Sequence, residues 1–377
     1  MAKKTTQRMV RTAQAPRAAY GKPEPPLHPD ALASLRDQPA AQPVPRQVAQ
    51  RLKTPNLRLS ARGDLARHLE PVSRDEGQWV VDAKVAPVVG VVSRDAKRLE
   101  RKAPAGRALG PPATPGFRPP WADLRFAPSA PPPRPAPLRR RGRAVTLHHE
   151  VFGAEDRRTY YPSGYPWNCI GRLSIWTDPA APDPQFTASG ALVGPKHVLT
   201  AGHCVPWGKS WKMQFVPGYY QGSSVAGAGA SSWVSQARGW NDPGSAHDMA
   251  VLHLTESLGD WLGYMGTKTY QSRWEDHPYW TLAGYPDAVG GTEMPARQSR
   301  ISVLDDDSDG SATKLEHEGD ATEGESGGPF FGWWPDHMPY AIGTDSGGED
   351  TFWEDDNFEA GGRAMVDLVQ WARDNWK

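Results

Sequence analysis

The 377-residue chain holds 43 basic and 43 acidic residues, but they are segregated: residues 1–143 carry 28 Lys or Arg against 11 Asp or Glu, with 23 of the 38 prolines. No apolar run approaches the roughly 20 residues of a membrane helix, so a membrane span is excluded on length. The arm lacks the apolar periodicity needed to offset the entropy of folding, so residues 1–143 are read as a basic, largely disordered, Pro- and Arg-rich region and 144–377 as one folded, acidic domain.

Met1-Ala2-Lys3-Lys4 is basic, but Thr5 to Pro16 has no apolar centre. No secretion signal is expected, and the compartment is left open. Within the arm, Pro45 to Leu52 reads as helix. The apolar run from Trp79 to Val92, interrupted by Pro87, suits an edge strand or a segment docked on the second half. Pro131 to Leu138 reads as an extended polyproline spacer. Arg139-Arg140-Arg141-Gly142-Arg143 follows it. Charge alone attracts phosphate, yet no aromatic residues are interleaved to stack on bases, which disfavours nucleic acid as a partner. The alternatives are a protease-sensitive junction or a tether for the acidic half.

From residue 170 the pattern turns to short alternating strands with Gly and Pro punctuation. Ile170 to Ile175, Phe186 to Val193 and His197 to Thr200 form a meander that ends at Leu199-Thr200-Ala201-Gly202-His203-Cys204. Trp211 to Val216 and Ala250 to Leu254 continue it, the latter opened by His247-Asp248. Later strands are expected at Tyr279 to Pro286, Ser299 to Leu304, Thr313 to His317, Pro329 to Trp334 and Pro339 to Gly343. Met365, Leu368, Val369 and Ala372 fall at helical spacing and predict a closing amphipathic helix.

Asp305-Asp306-Asp307-Ser308-Asp309-Gly310 with Glu316 fits the written pattern of a calcium loop. Its flanks read as strands rather than helices, so an Asp-Gly hairpin is the better reading and no metal is assigned.

Gly324-Glu325-Ser326-Gly327-Gly328-Pro329 sets a serine between glycines. A serine hydroxyl is a weak nucleophile until an imidazole takes its proton and a carboxylate orients that imidazole. His203, Asp248 and Ser326 supply the three groups. The amides of Gly324 and Ser326, freed by the glycines to point at one spot, would hold an oxyanion.

These three segments, in the order His, Asp, Ser, resemble the chymotrypsin-fold serine proteases, in wording nearest the bacterial glutamyl endopeptidase branch, over roughly residues 145–377. The resemblance implies an all-β fold of two packed six-stranded β-barrels with a C-terminal helix, and a serine endopeptidase acting on protein or peptide substrates. Neither a metal nor an organic cofactor is required by that chemistry. In the resembled fold the Cys beside the histidine often has a partner in the preceding strand, where this chain has Ala188. Cys169 and Cys204 can form a disulfide or remain two buried thiols. Val151 to Arg158 looks like the leader into the first strand.

At the specificity pocket the resemblance breaks. Ala321 stands where glutamyl endopeptidases carry a hydroxyl residue, and Asp345 where they carry the histidine that binds the substrate carboxylate. Asp320 takes the register of the pocket-floor carboxylate of trypsin-like enzymes, and with Asp345 it implies Arg or Lys before the scissile bond. Ser346, Gly347 and Gly348 supply the strand edge for the peptide. Arg139–Arg143 then becomes a candidate self-processing site that frees the acidic domain. Glu325, in place of the zymogen Asp that pairs with a newly made amino terminus, has either a terminus near Ala144 as partner or nothing of the kind. The rivals are a catalytically silent binding module on the same fold, and an effector whose basic arm docks an acidic partner or nucleic acid.

Overall fold

The computed structural model describes residues 24–54, 113–132, 149–348 and 356–377, with the backbone of strands Pro71–Asp75, Gln78–Asp82, Val88–Val89 and Arg143–Ala144. The polyproline stretch beyond residue 132 and the basic run up to 142 lie outside the described residues, as do residues 1–23.

Six strands carry the first half of the domain: β1 (Ile170–Trp176), β2 (Phe186–Gly194), β3 (His197–Thr200), β4 (Ser210–Pro217), β5 (Ser232–Gly239) and β6 (Ala250–Leu254). Their ladders run β5–β6–β3–β2–β1–β4, and β4 returns to β5 through Gln214↔Trp233 and Phe215↔Ser232, closing a six-stranded barrel. Strict alternation explains why β4 closes it: Trp211, Met213 and Phe215 are buried while the residues between them are not. They meet Leu173, Leu192, Val198 and Leu252 in the interior. Burying each such side chain is worth about 1.5–3 kcal/mol.

The second half is an antiparallel sheet of β7 (Trp280–Gly284), β8 (Ala296–Ile301), β9 (Asp305–Asp309), β10 (Ala312–His317), β11 (Pro329–Trp333), β12 (Pro339–Gly348) and β13 (Asn357–Gly361), ordered β9–β10–β13–β12–β11–β7–β8. Among the described residues no ladder joins β8 to β9, so the second closed barrel implied by the resemblance is present only as a large sheet. The acids of β9 give a reason: Asp305 to Asp309 has no apolar face to turn inward, so the strand stays at the rim. The hairpin expected over these acids is formed with β10, turning at Gly310 with φ +66°. The sheet core is aromatic, with Trp274, Trp280 and Trp334 within 5.7–6.1 Å of one another, ring centre to ring centre.

A helix, Gly362–Asn375, follows β13, and its Met365, Leu368, Val369 and Ala372 are buried. Arg373 binds across to the carbonyl oxygens of Val193 and Pro115. β5, β9 and β13 were not expected as strands, and β8 begins three residues before its expected start.

Parts of the arm are docked on this domain, which a reading of 1–143 as largely disordered does not anticipate. Arg46–Lys53 is the expected helix, and Leu52 accepts from the Gly229 N–H at 2.8 Å. Leu27 donates to Trp333 O at 2.7 Å, and Phe117 exchanges two backbone bonds of 2.9 Å with Tyr264. Gln78–Asp82 pairs with the outer half of β5 on one side and with Pro71–Asp75 on the other, so this part of the apolar run is docked on the second half and the edge falls to Pro71–Asp75. These segments need no core of their own because backbone groups of the domain, in strands and in the loops at Gly229 and Tyr264, bond to theirs.

Candidate active site

The Ser326 loop hangs on the first barrel. Ser189, in β2, donates its N–H to Ser326 O at 2.9 Å and its hydroxyl to Gly324 O at 2.8 Å, while accepting from the Tyr285 N–H at 2.8 Å. One hydroxyl thus couples β2, the end of β7 and the loop. Gly327 has φ +84°, and a Cβ there would collide with Thr200 Oγ1 and Ser189 O, so only glycine permits this approach. The short turn Gly202–Cys204 after β3 lies against the same loop, with the Cys204 thiol directed at Ser326 O, 3.6 Å away. His203 is its middle residue.

His203 Nδ1 and Asp248 Oδ2 are 2.6 Å apart, and the His203 N–H donates to Asp248 Oδ1 at 2.8 Å. Asp248 is fully buried and also accepts from Ser346 Oγ at 2.6 Å. Burial alone would push the His203 imidazole down. The Asp248 carboxylate and Cys204, acting together in the opposite direction, hold the imidazole well above its ordinary value. His203 Nε2 and Ser326 Oγ are buried, and neither has a hydrogen-bond partner among the described residues. Nor does any acceptor among the described residues take the N–H of Gly324 or Ser326, while neighbouring Gly327 and Gly328 donate to Asp345 O and Glu325 O at 2.8 and 2.7 Å. Two donors, a hydroxyl and an imidazole nitrogen are thereby left unused around one loop.

The trypsin family model matches residues 159–352, just over half of the chain. The chain belongs to the trypsin family of serine proteases. It is 27% identical over 187 residues to a glutamyl endopeptidase of Bacillus licheniformis, across 48% of this chain and 54% of that protein, so it spans about half the length of this relative. Among solved structures, a Glu endopeptidase in complex with MPD matches at 20% identity and TM-score 0.48, over 60% of this chain and all of that one. Protease Anisep from Arthrobacter nicotinovorans matches at 18% and 0.43, over 58% of this chain and all of that one.

At the positions expected to line a trypsin-family specificity pocket, the side chains are otherwise engaged. Asp320 is buried and accepts from the Phe152 and Asp156 N–H groups at 2.9 and 2.7 Å, anchoring the leader into the barrel. Asp345 is buried against His149, with Nε2 to Oδ2 at 3.0 Å. Burial works to lower the His149 imidazole, but Asp345 raises it above its ordinary value. Ala321 is fully buried, its N–H on Glu150 O. Ser346 is spent on Asp248, whereas among the described residues Gly347 and Gly348 pair with Phe358 and Asn357 on one side only, because β11 ends opposite Thr344.

Three side chains escape a reading of the sequence: His149, Ser189 and Arg157. Arg157 is the partner of Glu325, at 2.7 Å with both side chains fully buried, so a terminus near Ala144 is not what this carboxylate holds. Burial pushes Glu325 up to about 7 even with the guanidinium opposing it. Cys169 and Cys204 are both free and buried.

Proposed function

We propose that this chain is a serine endopeptidase in which Ser326 attacks the peptide carbonyl and is acylated. His203 takes the Ser326 proton through Nε2 and passes it to the leaving amine, and Asp248 holds the imidazole in the tautomer that exposes Nε2. A water then repeats the sequence against the acyl-enzyme, releasing the acid and restoring the hydroxyl. The N–H groups of Gly324 and Ser326 stabilise the oxyanion at each tetrahedral stage. The free edge at Gly347 and Gly348 receives the substrate backbone as an added strand.

The observation that carries this reading is the 2.6 Å contact of His203 Nδ1 with Asp248, beside a Ser326 hydroxyl and two loop amides that the protein leaves unbonded. A silent binding module has no use for such a set, since unpaired buried polar groups cost about 1–3 kcal/mol each. Peptide-library hydrolysis by the wild type and by Ser326→Ala tests it: cleavage lost in the variant is expected, and equal cleavage would reject Ser326.

The preference for Arg or Lys loses its footing, because Asp320 and Asp345 already hold partners. An acidic residue before the scissile bond is the second reading, favoured by the imidazole of His149 set on Asp345 and by the glutamyl endopeptidase relative. The same library separates the two.

A further inference from the structure

Glu325 immediately precedes Ser326, and its carboxylate is turned into the protein onto Arg157. The guanidinium donates from Nη1 to Glu325 Oε2 at 2.7 Å and to Thr322 Oγ1 at 2.9 Å, while Nε and Nη2 grip Glu155 at 2.8 and 2.7 Å. Thr322 and Glu325 are the two ends of one turn, closed by Glu325 N–H to Thr322 O at 3.1 Å, and Gly324 within it sits at φ +91°. A single planar cation therefore pins both ends of the turn that aims the Gly324 and Ser326 amides. Glu155 fixes the cation in place from the other side, and removing one partner of a fully buried pair leaves an uncompensated charge.

We infer that Arg157 is the positioning residue for the oxyanion turn, an internal latch that keeps the Ser326 loop competent in the uncut chain. The cation that Glu325 needs is supplied from within the chain, so no newly made amino terminus is required. The inference rests on Ser326 being the nucleophile. It assigns the Arg139–Arg143 run no part in switching the enzyme on.

Two measurements on the full chain test it. In the first, Arg139, Arg140, Arg141 and Arg143 are changed to Gln, and phosphonylation of Ser326 by an active-site reagent is timed while the chain is shown to stay intact. The wild-type rate is expected; an intact chain that is inert would overturn the latch. In the second, Arg157→Lys keeps the charge but loses the fork, and kcat is expected to fall on the order of 10- to 100-fold with KM within about twofold. Phosphonylation should slow in parallel. Wild-type kcat in Arg157→Lys overturns the latch alone. A wild type that neither cleaves nor is phosphonylated rejects the nucleophile and the latch with it. Should Arg157→Lys fail to fold, the first measurement still decides.

Discussion

At His203 two opposing effects decide the working pH. In the proposed mechanism the imidazole must be neutral to accept the Ser326 proton; burial, the largest influence, penalises its charged form, but Asp248 and Cys204 together favour it, so the group is held above its ordinary value. The kcat/KM of the wild type should therefore rise with pH and level off only above that raised value. Asp248→Asn takes away the opposing charge, moving the rising limb to lower pH and dropping the plateau by roughly 10⁴-fold, as for other members of this triad chemistry. A pH–rate profile on a chromogenic peptide reads both; a limb that stays in place would mean that Asp248 does not set it. His317, buried against Glu359, tests the same physics at a second imidazole. Burial pushes it down to about 4, so its contribution to stability is complete above the unfolded value near 6.5 and is lost as pH falls through 4. Acid unfolding of His317→Gln should show a shallower loss over that window.

Between elements, the decisive link is the Ser189 hydroxyl, which serves β2, the end of β7 and the Ser326 loop together. Ser189→Ala leaves the Gly324 carbonyl and the Tyr285 N–H buried without that partner, so denaturant unfolding should show a loss of roughly 1–3 kcal/mol. An unchanged midpoint would mean water replaces the hydroxyl. This scale also marks where sequence stops being informative. His203, Asp248 and Ser326 stand out in the sequence because each lies in a short local pattern, glycines or an adjoining strand, that displays one side chain. Arg157 and Ser189 lie in no such pattern: their meaning is a partner 168 or 135 residues away. Asp320 and Asp345 meet the same limit, since register along the chain places a carboxylate but does not tell which buried donors have claimed it. β5 is hard to read as a strand because Trp233-Val234 and Ser235-Gln236 break its alternation, and β13 because its polar Asn357 and Glu359 are buried along with Phe358.

For the whole molecule, the segregation of charge suggested an acidic enzyme that could shed a basic arm. Docking of residues 24–54 and 113–132 on the domain changes that expectation, because Leu27, Leu52, Phe117 and Ala113–Thr114 are all tied to it by backbone hydrogen bonds. Cleavage within Arg139–Arg143 should yield two fragments that elute together in gel filtration at neutral pH and separate only in denaturant; separation without denaturant would contradict the docking. Low apolar periodicity argues that the arm has no core of its own, and does not tell that backbone groups of the domain accept parts of it.

The proposed chemistry turns on Ser326 as a nucleophile activated by His203 and Asp248. Mapping by mass spectrometry the adduct left by a serine-phosphonylating reagent tests it most directly. One adduct per chain is expected, on Ser326, absent in Ser326→Ala and formed far more slowly in His203→Ala. An unmodified chain, or an adduct on a different residue at the same rate in Ser326→Ala, would contradict it.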